Sequence, residues 1–102
     1  MANKSAFSTI VSNRAQKELA ESWIWYEDRL KGLGDRFVGE VFKCLRKIED
    51  TPDRFPTKFK SYKEAQVDTF PFLVIYRINK KANSIRVVSV FHTAQNPRKK
   101  YK

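Results

Sequence analysis

Residues 70–93 read FPFLVIYRI, then NKKANS, then IRVVSVFHT, and this stretch decides the fold. Both apolar parts are rich in β-branched and aromatic residues, which favour a pleated, packed surface. The apolar residues come in runs rather than in strict alternation, which indicates strands covered at least in part on both faces. The polar break at 79–84 has the length of a hairpin loop, and Asn79 and Asn83 tolerate left-handed dihedrals. We therefore predict two adjacent antiparallel strands at the centre of one sheet.

Two amphipathic helices are predicted upstream of this stretch, because apolar residues recur at spacings of three and four. The stripes are Ala15, Leu19, Trp23, Tyr26 and Leu30 in the first helix, and Phe37 or Val38, Val41, Phe42, Leu45 and Ile48 in the second. Ser12 or Asn13 can cap the first helix, and glycines at 32 and 34 separate it from the second. Pro52 ends the second helix, since proline disfavours a helical conformation just before it.

The remaining segments complete the predicted fold. A short strand at 7–12 precedes the helices, and weaker strand patterns follow them at 58–60 and 62–68. In the last of these, Ala65 and Val67 alternate with polar residues, which predicts that Glu64 faces water. The resulting order, β-α-α-β-β-β-β, predicts an α+β fold: an N-terminal strand, then a two-helix antiparallel hairpin packed on a mainly antiparallel sheet of four to five strands.

Length and composition restrict the class of protein. A chain of 102 residues fits one domain, and we expect 93–102 to form a basic, mobile tail. No apolar run has the length of a membrane span, and the N-terminus lacks a signal-peptide core, so we expect a cytoplasmic protein without membrane association. With one His and one Cys, we expect no disulfide, no metal site and no cofactor.

The net charge of +10 is concentrated in one part of the chain. Residues 13–50 hold eight basic and eight acidic side chains, so this part is neutral. The rest of the chain holds 13 basic side chains against three acidic ones and carries the whole excess. This distribution favours a polyanion or an acidic protein as partner over a merely solubilising surface.

Five segments carry a resemblance to a known family. They are SNRA at 12–15, GLGDRF at 32–37, TPxxFP at 51–56, FPFxxxYRI at 70–78 and VFHT at 90–93. In this order and with these gaps, they resemble the RelE/ParE toxins of bacterial type II toxin–antitoxin systems over about residues 7–100. The resemblance implies a small basic toxin of a plasmid-stabilisation or stress system, which a cognate acidic antitoxin neutralises.

The resemblance leaves two kinds of growth inhibition open. ParE-like members poison DNA gyrase, whereas RelE-like members are ribosome-dependent endoribonucleases that cut mRNA. RelE-like cleavage uses an arginine about three residues before the matched tyrosine, where this chain has Leu73. A second arginine follows the last strand, where this chain has Thr93 and Ala94. These differences favour a ParE-like toxin that binds its target, with mRNA cleavage as the alternative.

Candidate site residues follow from both readings. For acid–base cleavage of RNA they are His92, Tyr101 and Lys63, because a proton must leave the ribose hydroxyl and cations must stabilise the phosphate. For contacts with a target or with nucleic acid they are Arg77, Arg98, Lys99 and Lys100. His92 has a structural role as its alternative, and Arg77 has an ion pair with a helix carboxylate as its own. For the three tail cations the alternative is a solvated tail.

Overall fold

The computed structural model describes residues 7–101, which form one five-stranded sheet covered by two helices. The elements are β1 (Ser8–Val11), α1 (Asn13–Arg29), α2 (Leu33–Asp50), β2 (Thr57–Phe59), β3 (Tyr62–Gln66), β4 (Phe72–Asn79) and β5 (Ser84–His92). Two short 3-10 helices lie at Pro52–Arg54 and Pro97–Lys99. This order confirms the predicted α+β fold. Among the described residues, no helix is long and apolar enough to cross a membrane.

The sheet has the strand order β1-β5-β4-β3-β2. The strands β4 and β5 are antiparallel neighbours inside the sheet, as the sequence predicted, and β1 pairs in parallel with β5. The pairing of β4 with β5 slips by one residue, since Ile75 pairs with Ser89 and Tyr76 pairs with Val87. Val88 is therefore the extra residue of a β-bulge.

The core lies between the sheet and the helical hairpin. Phe37, Val41 and Ile48 of α2 are at most 1% exposed and pack against the side chains of β4 and β5 that point the same way. Tyr76 is also fully buried, and its hydroxyl donates a hydrogen bond to the carbonyl of Pro52 over 2.7 Å. Burial and this hydrogen bond tie the end of α2 to the centre of the sheet.

The helix termini settle the choice that the sequence left open. Ser12 is the N-cap of α1, and its hydroxyl accepts from the amide of Ala15 over 3.1 Å. Asn13 is the first residue inside the helix. Gly32 has a φ of 91°, a left-handed conformation that suits glycine, and precedes α2 directly. The Glu27 carboxylate accepts from the amides of Gly32 and Gly34, both over 2.8 Å, and so closes the turn.

Three predicted core positions on the helices are wrong. Leu30 is 62% exposed, Phe42 is 47% exposed and Trp23 is 37% exposed. An apolar stripe shows which residues share one side of a helix, but not which of them a neighbouring element covers. The predicted exposure of Glu64 is also wrong, since this residue is only 8% exposed. Its burial depends on the end of the chain, which folds over it.

Candidate functional site

The face of the sheet that points away from the helices is called here the outer face. Because side chains alternate along a strand, Phe72, Val74 and Tyr76 belong to the helix-covered core, whereas Ile75 and Arg77 belong to the outer face. Glu64 pairs with Ile75 across β3 and β4 and lies on the same face. Ile75 has no exposed surface, so the outer face is also covered in its middle.

The end of the chain supplies this cover. The Tyr101 ring stacks on Phe59 and Tyr62 with centroid distances of 4.7 and 5.1 Å. Its hydroxyl donates a short hydrogen bond to the Glu64 carboxylate. The Lys100 ammonium lies 3.2 Å from the same carboxylate. Two of the four candidate residues in the tail, Lys100 and Tyr101, thus meet at a buried acid that the sequence did not indicate.

A second contact fixes the tail to the first helix. The Arg14 guanidinium donates to the carbonyls of Lys99 and Lys100, the latter over 3.3 Å. Arg14 also pairs with Glu18 at 3.2 Å. The tail is therefore bound to α1 on one side and to β3 on the other.

Burial and the neighbouring carboxylate determine the protonation of Tyr101. Burial raises the pKa of the Tyr101 phenol, and the hydrogen bond to Glu64 and the negative charge of Glu64 raise it further. An ordinary tyrosine phenol, with a pKa of about 10, is already protonated at neutral pH, and these surroundings make ionisation of Tyr101 still less favourable. In this position it serves as a hydrogen-bond donor.

Lys63 points away from Glu64, although the two are neighbours in β3. Its ammonium donates to the carbonyl of Phe55 over 3.0 Å and to the hydroxyl of Thr57 over 3.1 Å. Both partners lie in the segment that leads into β2 and its first residue. Lys63 thus holds the edge strand against β3.

His92 ends β5 and lies in a cleft between α1 and the sheet. Its Nδ1 accepts from the amide of Ala94 over 3.0 Å, and its ring contacts Phe72 edge-to-face at 4.8 Å. The cleft has a volume of about 570 Å³. It is lined by Glu18, Glu21, Ser22, Trp25, Tyr26, Pro71, Phe72, Val90, His92 and Gln95. Neither Tyr101 nor Lys63 lines this cleft.

The structure therefore separates the three residues predicted for acid–base chemistry. Within residues 7–101, no hydrogen bond joins any two of His92, Tyr101 and Lys63. The same part of the chain holds no group of three or more His, Cys, Asp or Glu side chains that could bind a metal ion. What the geometry offers is a hydrogen-bonded acid on the outer face and a separate aromatic cleft beside α1.

The predicted contact residues differ in their surroundings. Arg77 is exposed, and its guanidinium lies 5.3 Å from the ring centroid of Tyr62. Arg98 and Lys99 are exposed in the 3-10 helix of the tail, whereas Lys100 is half-buried against Glu64. Arg77 lies directly opposite Arg86 on β5, a second outward arginine that the sequence analysis missed.

Sequence patterns gave no signal for Glu18, which completes the edge of the sheet. The strand β1 ends at Val11, so the amide of Val90 further along β5 has no strand partner. The Glu18 carboxylate accepts from this amide over 2.9 Å and from the Ser89 hydroxyl over 2.8 Å. The preceding Ser12 hydroxyl donates to the carbonyl of Val88 over 3.1 Å. The start of α1 thereby replaces the missing length of β1.

Comparisons with known proteins agree with this architecture. Residues 9–97 match the sequence profile of the ParE toxin of the type II toxin–antitoxin system parDE. The fold is similar to that of a chain in a solved structure of the chromosomal ParDE TA system from P. aeruginosa, with a TM-score of 0.75 and 11% sequence identity. The match covers 87% of this chain and 98% of that chain, and at this identity it shows the fold alone. No curated protein sequence matches the chain.

Proposed function

Because the chain belongs to the ParE toxin family of type II toxin–antitoxin systems, we propose that it arrests growth by binding a cellular target such as DNA gyrase. The observation that carries this proposal is the family match over residues 9–97. A cognate acidic antitoxin neutralises the toxin in this proposal. We place its action in the cytoplasm, where DNA gyrase is found.

The surroundings of the candidate residues support target binding over RNA cleavage. Leu73, Thr93 and Ala94 occupy the positions that the RelE resemblance assigns to arginines, so fixed cations for a cleaved phosphate are missing there. The Tyr101 phenol retains its proton and already donates to Glu64. Lys63 is held by Phe55 and Thr57.

The solvent-exposed side of the helical hairpin, opposite to the outer face of the sheet, supports the antitoxin part of the proposal. Trp23, Ile24 and Phe42 are between 37% and 53% exposed. Trp23 and Ile24 line a groove of about 490 Å³ whose walls are mainly apolar side chains. Its lining consists of Gln16, Leu19, Ala20, Trp23, Ile24 and Val38. An amphipathic antitoxin segment would cover these side chains, and acidic residues on its polar side would complement the +10 charge.

Two assays on the purified protein, gyrase supercoiling and transcript cleavage, distinguish target binding from RNA cleavage when they are run side by side. We expect inhibition of DNA supercoiling by gyrase, reversed by the antitoxin, and no cleavage of a transcript on translating ribosomes. The variants His92→Ala and Tyr101→Phe should retain gyrase inhibition if they remain folded, as checked by circular dichroism. Transcript cleavage that either variant abolishes would instead establish the RelE-type alternative.

The antitoxin is tested separately from the target. We expect a gene next to this one to encode an acidic protein that copurifies with the toxin when both are expressed from the native operon. The variant Ile24→Asp should weaken the complex, whereas Lys17→Asp, on the same helix but outside the groove, should retain it. Isolation of the toxin alone from the native operon would contradict this part of the proposal.

A further inference from the structure

The outer face carries two positive charges directly opposite each other. Arg77 on β4 and Arg86 on β5 are register partners, and both are exposed. Like charges at such positions destabilise a sheet. Within residues 7–101, no ion pair includes either guanidinium. The fold therefore holds an uncompensated pair of cations at a defined position.

Two lysines extend this pair into a basic cleft at the β4–β5 hairpin. The cleft has a volume of about 590 Å³, and no carboxylate lines it. Its lining consists of Ile10, Ser61, Arg77, Ile78, Asn79, Lys80, Lys81, Ala82, Ser84 and Arg86. Lys80 contacts Asp53 at 3.5 Å, but both side chains are about 70% exposed, so water screens this pair. A bound anion would compensate the charges.

Flat ring surfaces adjoin the basic cleft. The Arg77 guanidinium lies 5.3 Å from the Tyr62 ring centroid, and Tyr62 stacks with Tyr101, which stacks with Phe59. Phe59 is 45% exposed and lies on the edge strand β2. Cations and aromatic rings thus follow one another across the sheet and end at the exposed ring of Phe59, an arrangement that binds unpaired bases joined by phosphates.

We propose that this surface binds single-stranded nucleic acid, with phosphates at Arg77 and Arg86 and a base on Phe59. Guanidinium groups bind the oxygens of phosphates and of carboxylates in the same bidentate manner. The adjoining aromatic rings therefore distinguish the ligand, because they favour a phosphate-linked chain that carries bases. The bases of a duplex are stacked inside it, and an acidic peptide has no bases. Neither ligand could therefore stack a base on the Phe59 ring. The proposal goes beyond gyrase and antitoxin binding and requires neither. The site also lies four residues along β4 from Leu73, away from the position of the RelE-like arginine.

Fluorescence anisotropy with a short labelled oligothymidine tests the cationic part of the site. The double variant Arg77→Ala/Arg86→Ala should bind at least about tenfold more weakly. Its slope of log affinity against log salt should be smaller by about 1.4, because each lost phosphate contact removes about 0.7. The control Lys17→Ala/Lys31→Ala removes the same charge from exposed positions elsewhere and should change binding less.

The aromatic part is tested on the same oligothymidine. The variant Phe59→Ala should weaken binding by at least about fivefold, whereas Phe59→Tyr should retain it, because stacking of one base requires only a flat ring. Duplex DNA and polyglutamate of matched charge should compete poorly. A base-independent cationic surface would instead bind all three ligands alike.

Several results would overturn the proposal. Equal weakening in the lysine control variant would show attraction by net charge alone, and tight binding of polyglutamate would identify an acidic peptide as the occupant. If the double arginine variant does not fold, amide chemical shifts of the unmodified protein are recorded during titration with oligothymidine. Shift changes centred on Tyr62, Arg77 and Arg86 would support the site, and changes centred elsewhere would reject it.

Discussion

At the scale of single residues, Glu64 is the feature that connects the tail with the sheet. A buried carboxylate is costly unless hydrogen bonds and opposite charges compensate its lost hydration. Tyr101 and Lys100 provide this compensation from the far end of the chain. The alternating pattern around Ala65 correctly identified the helix-facing side of β3, but it could not show that the other side is covered. Sequence periodicity describes the two faces of a strand and contains no information on a distant segment that folds over one of them.

Replacing Tyr101 with Phe removes a single hydroxyl and retains the stacked ring. We expect the free energy of unfolding to fall by about 1–2 kcal/mol, because the Glu64 carboxylate loses a donor in a buried position. Tyr62→Phe is the matched control, since this ring belongs to the same stack. It should change stability by less than about 0.5 kcal/mol. Urea denaturation measures both, and equal losses would show that the Tyr101 hydroxyl has no special role.

The buried thiol of Cys44 gives a prediction about alkaline pH. Burial raises the pKa of Cys44 from 9.0 to about 11, with a smaller lowering by Lys47 and a smaller raising by Asp68. A raised pKa means that the folded state keeps a proton that the unfolded chain loses above pH 9. Its contribution to stability is therefore complete below pH 9 and is lost between pH 9 and about pH 11.

Two pKa units correspond to about 2–3 kcal/mol. Urea denaturation on either side of this pH interval measures the loss for the unmodified protein and for Cys44→Ala. The variant should lose about 2 kcal/mol less over the interval, because it has no thiol to ionise. The contributions of other groups that titrate in this range are the same in both proteins, so they cancel in the difference between the two losses. An equal loss in both proteins would contradict the prediction.

At the scale of elements, local chemistry decided what the sequence could predict. The strands β4 and β5 were predicted correctly because apolar composition and a hairpin loop act over neighbouring residues. The exposure of Leu30 and Phe42 could not be predicted, because a helical stripe does not show how far the sheet beneath it extends. The choice of Ser12 over Asn13 as N-cap was similarly open, since it depends on the Ser12 contact with Val88 on β5.

The close approach of the two helices depends on Gly34. A Cβ at this position would lie 2.7 Å from the Trp23 carbonyl oxygen and 2.8 Å from the Trp23 ring. We expect Gly34→Ala to cost about 1–3 kcal/mol, since backbone atoms must move apart. Gly39→Ala is the control in the same helix, where a Cβ would have no neighbour within 4 Å. It should stabilise the protein by about 0.5–1 kcal/mol through helix propensity. Thermal unfolding of both variants tests the expected loss of stability in Gly34→Ala and the expected gain in Gly39→Ala. An unchanged stability of Gly34→Ala would contradict the packing argument.

The joint between α1 and β5 depends on Glu18. In Glu18→Ala the amide of Val90 and the hydroxyl of Ser89 lose their acceptor, and Ser89 has no exposed surface. We expect a loss of about 2 kcal/mol in urea denaturation. Glu18→Gln retains an acceptor oxygen and should recover part of the loss. Glu21→Ala, exposed on the same helix, should have an effect of less than about 0.5 kcal/mol. A similar cost for both alanine variants would assign the effect to helix charge.

At the scale of the whole molecule, the fold and the candidate site differ in how far they could be predicted. Strand and helix order followed from local patterns and agreed with the resemblance over nearly the whole chain. The surroundings of His92, Lys63 and Tyr101 could not be predicted in this way. His92 lies in the cleft beside α1, Lys63 binds the segment before β2, and Tyr101 binds Glu64 on the outer face. Neighbourhood in a fold of this kind is set by strand register and by the path of the tail. Neither is encoded in the spacing of site residues along the chain.

The path of the tail leads to the last prediction, which concerns the integrity of the molecule as a whole. Its final residues connect α1 to β3 across the outer face through Arg14, Lys100, Tyr101 and Glu64. Deletion of residues 98–102 would remove these contacts together and expose the Glu64 carboxylate and the Phe59 and Tyr62 rings. Since each contact contributes about 1 kcal/mol, we expect stability to fall by about 2–4 kcal/mol. Arg98→Ala, an exposed change in the same tail, should have an effect of less than about 0.5 kcal/mol. The midpoints of urea denaturation report the stability of both proteins. An unchanged midpoint after the deletion would show that the tail contacts the sheet without stabilising it.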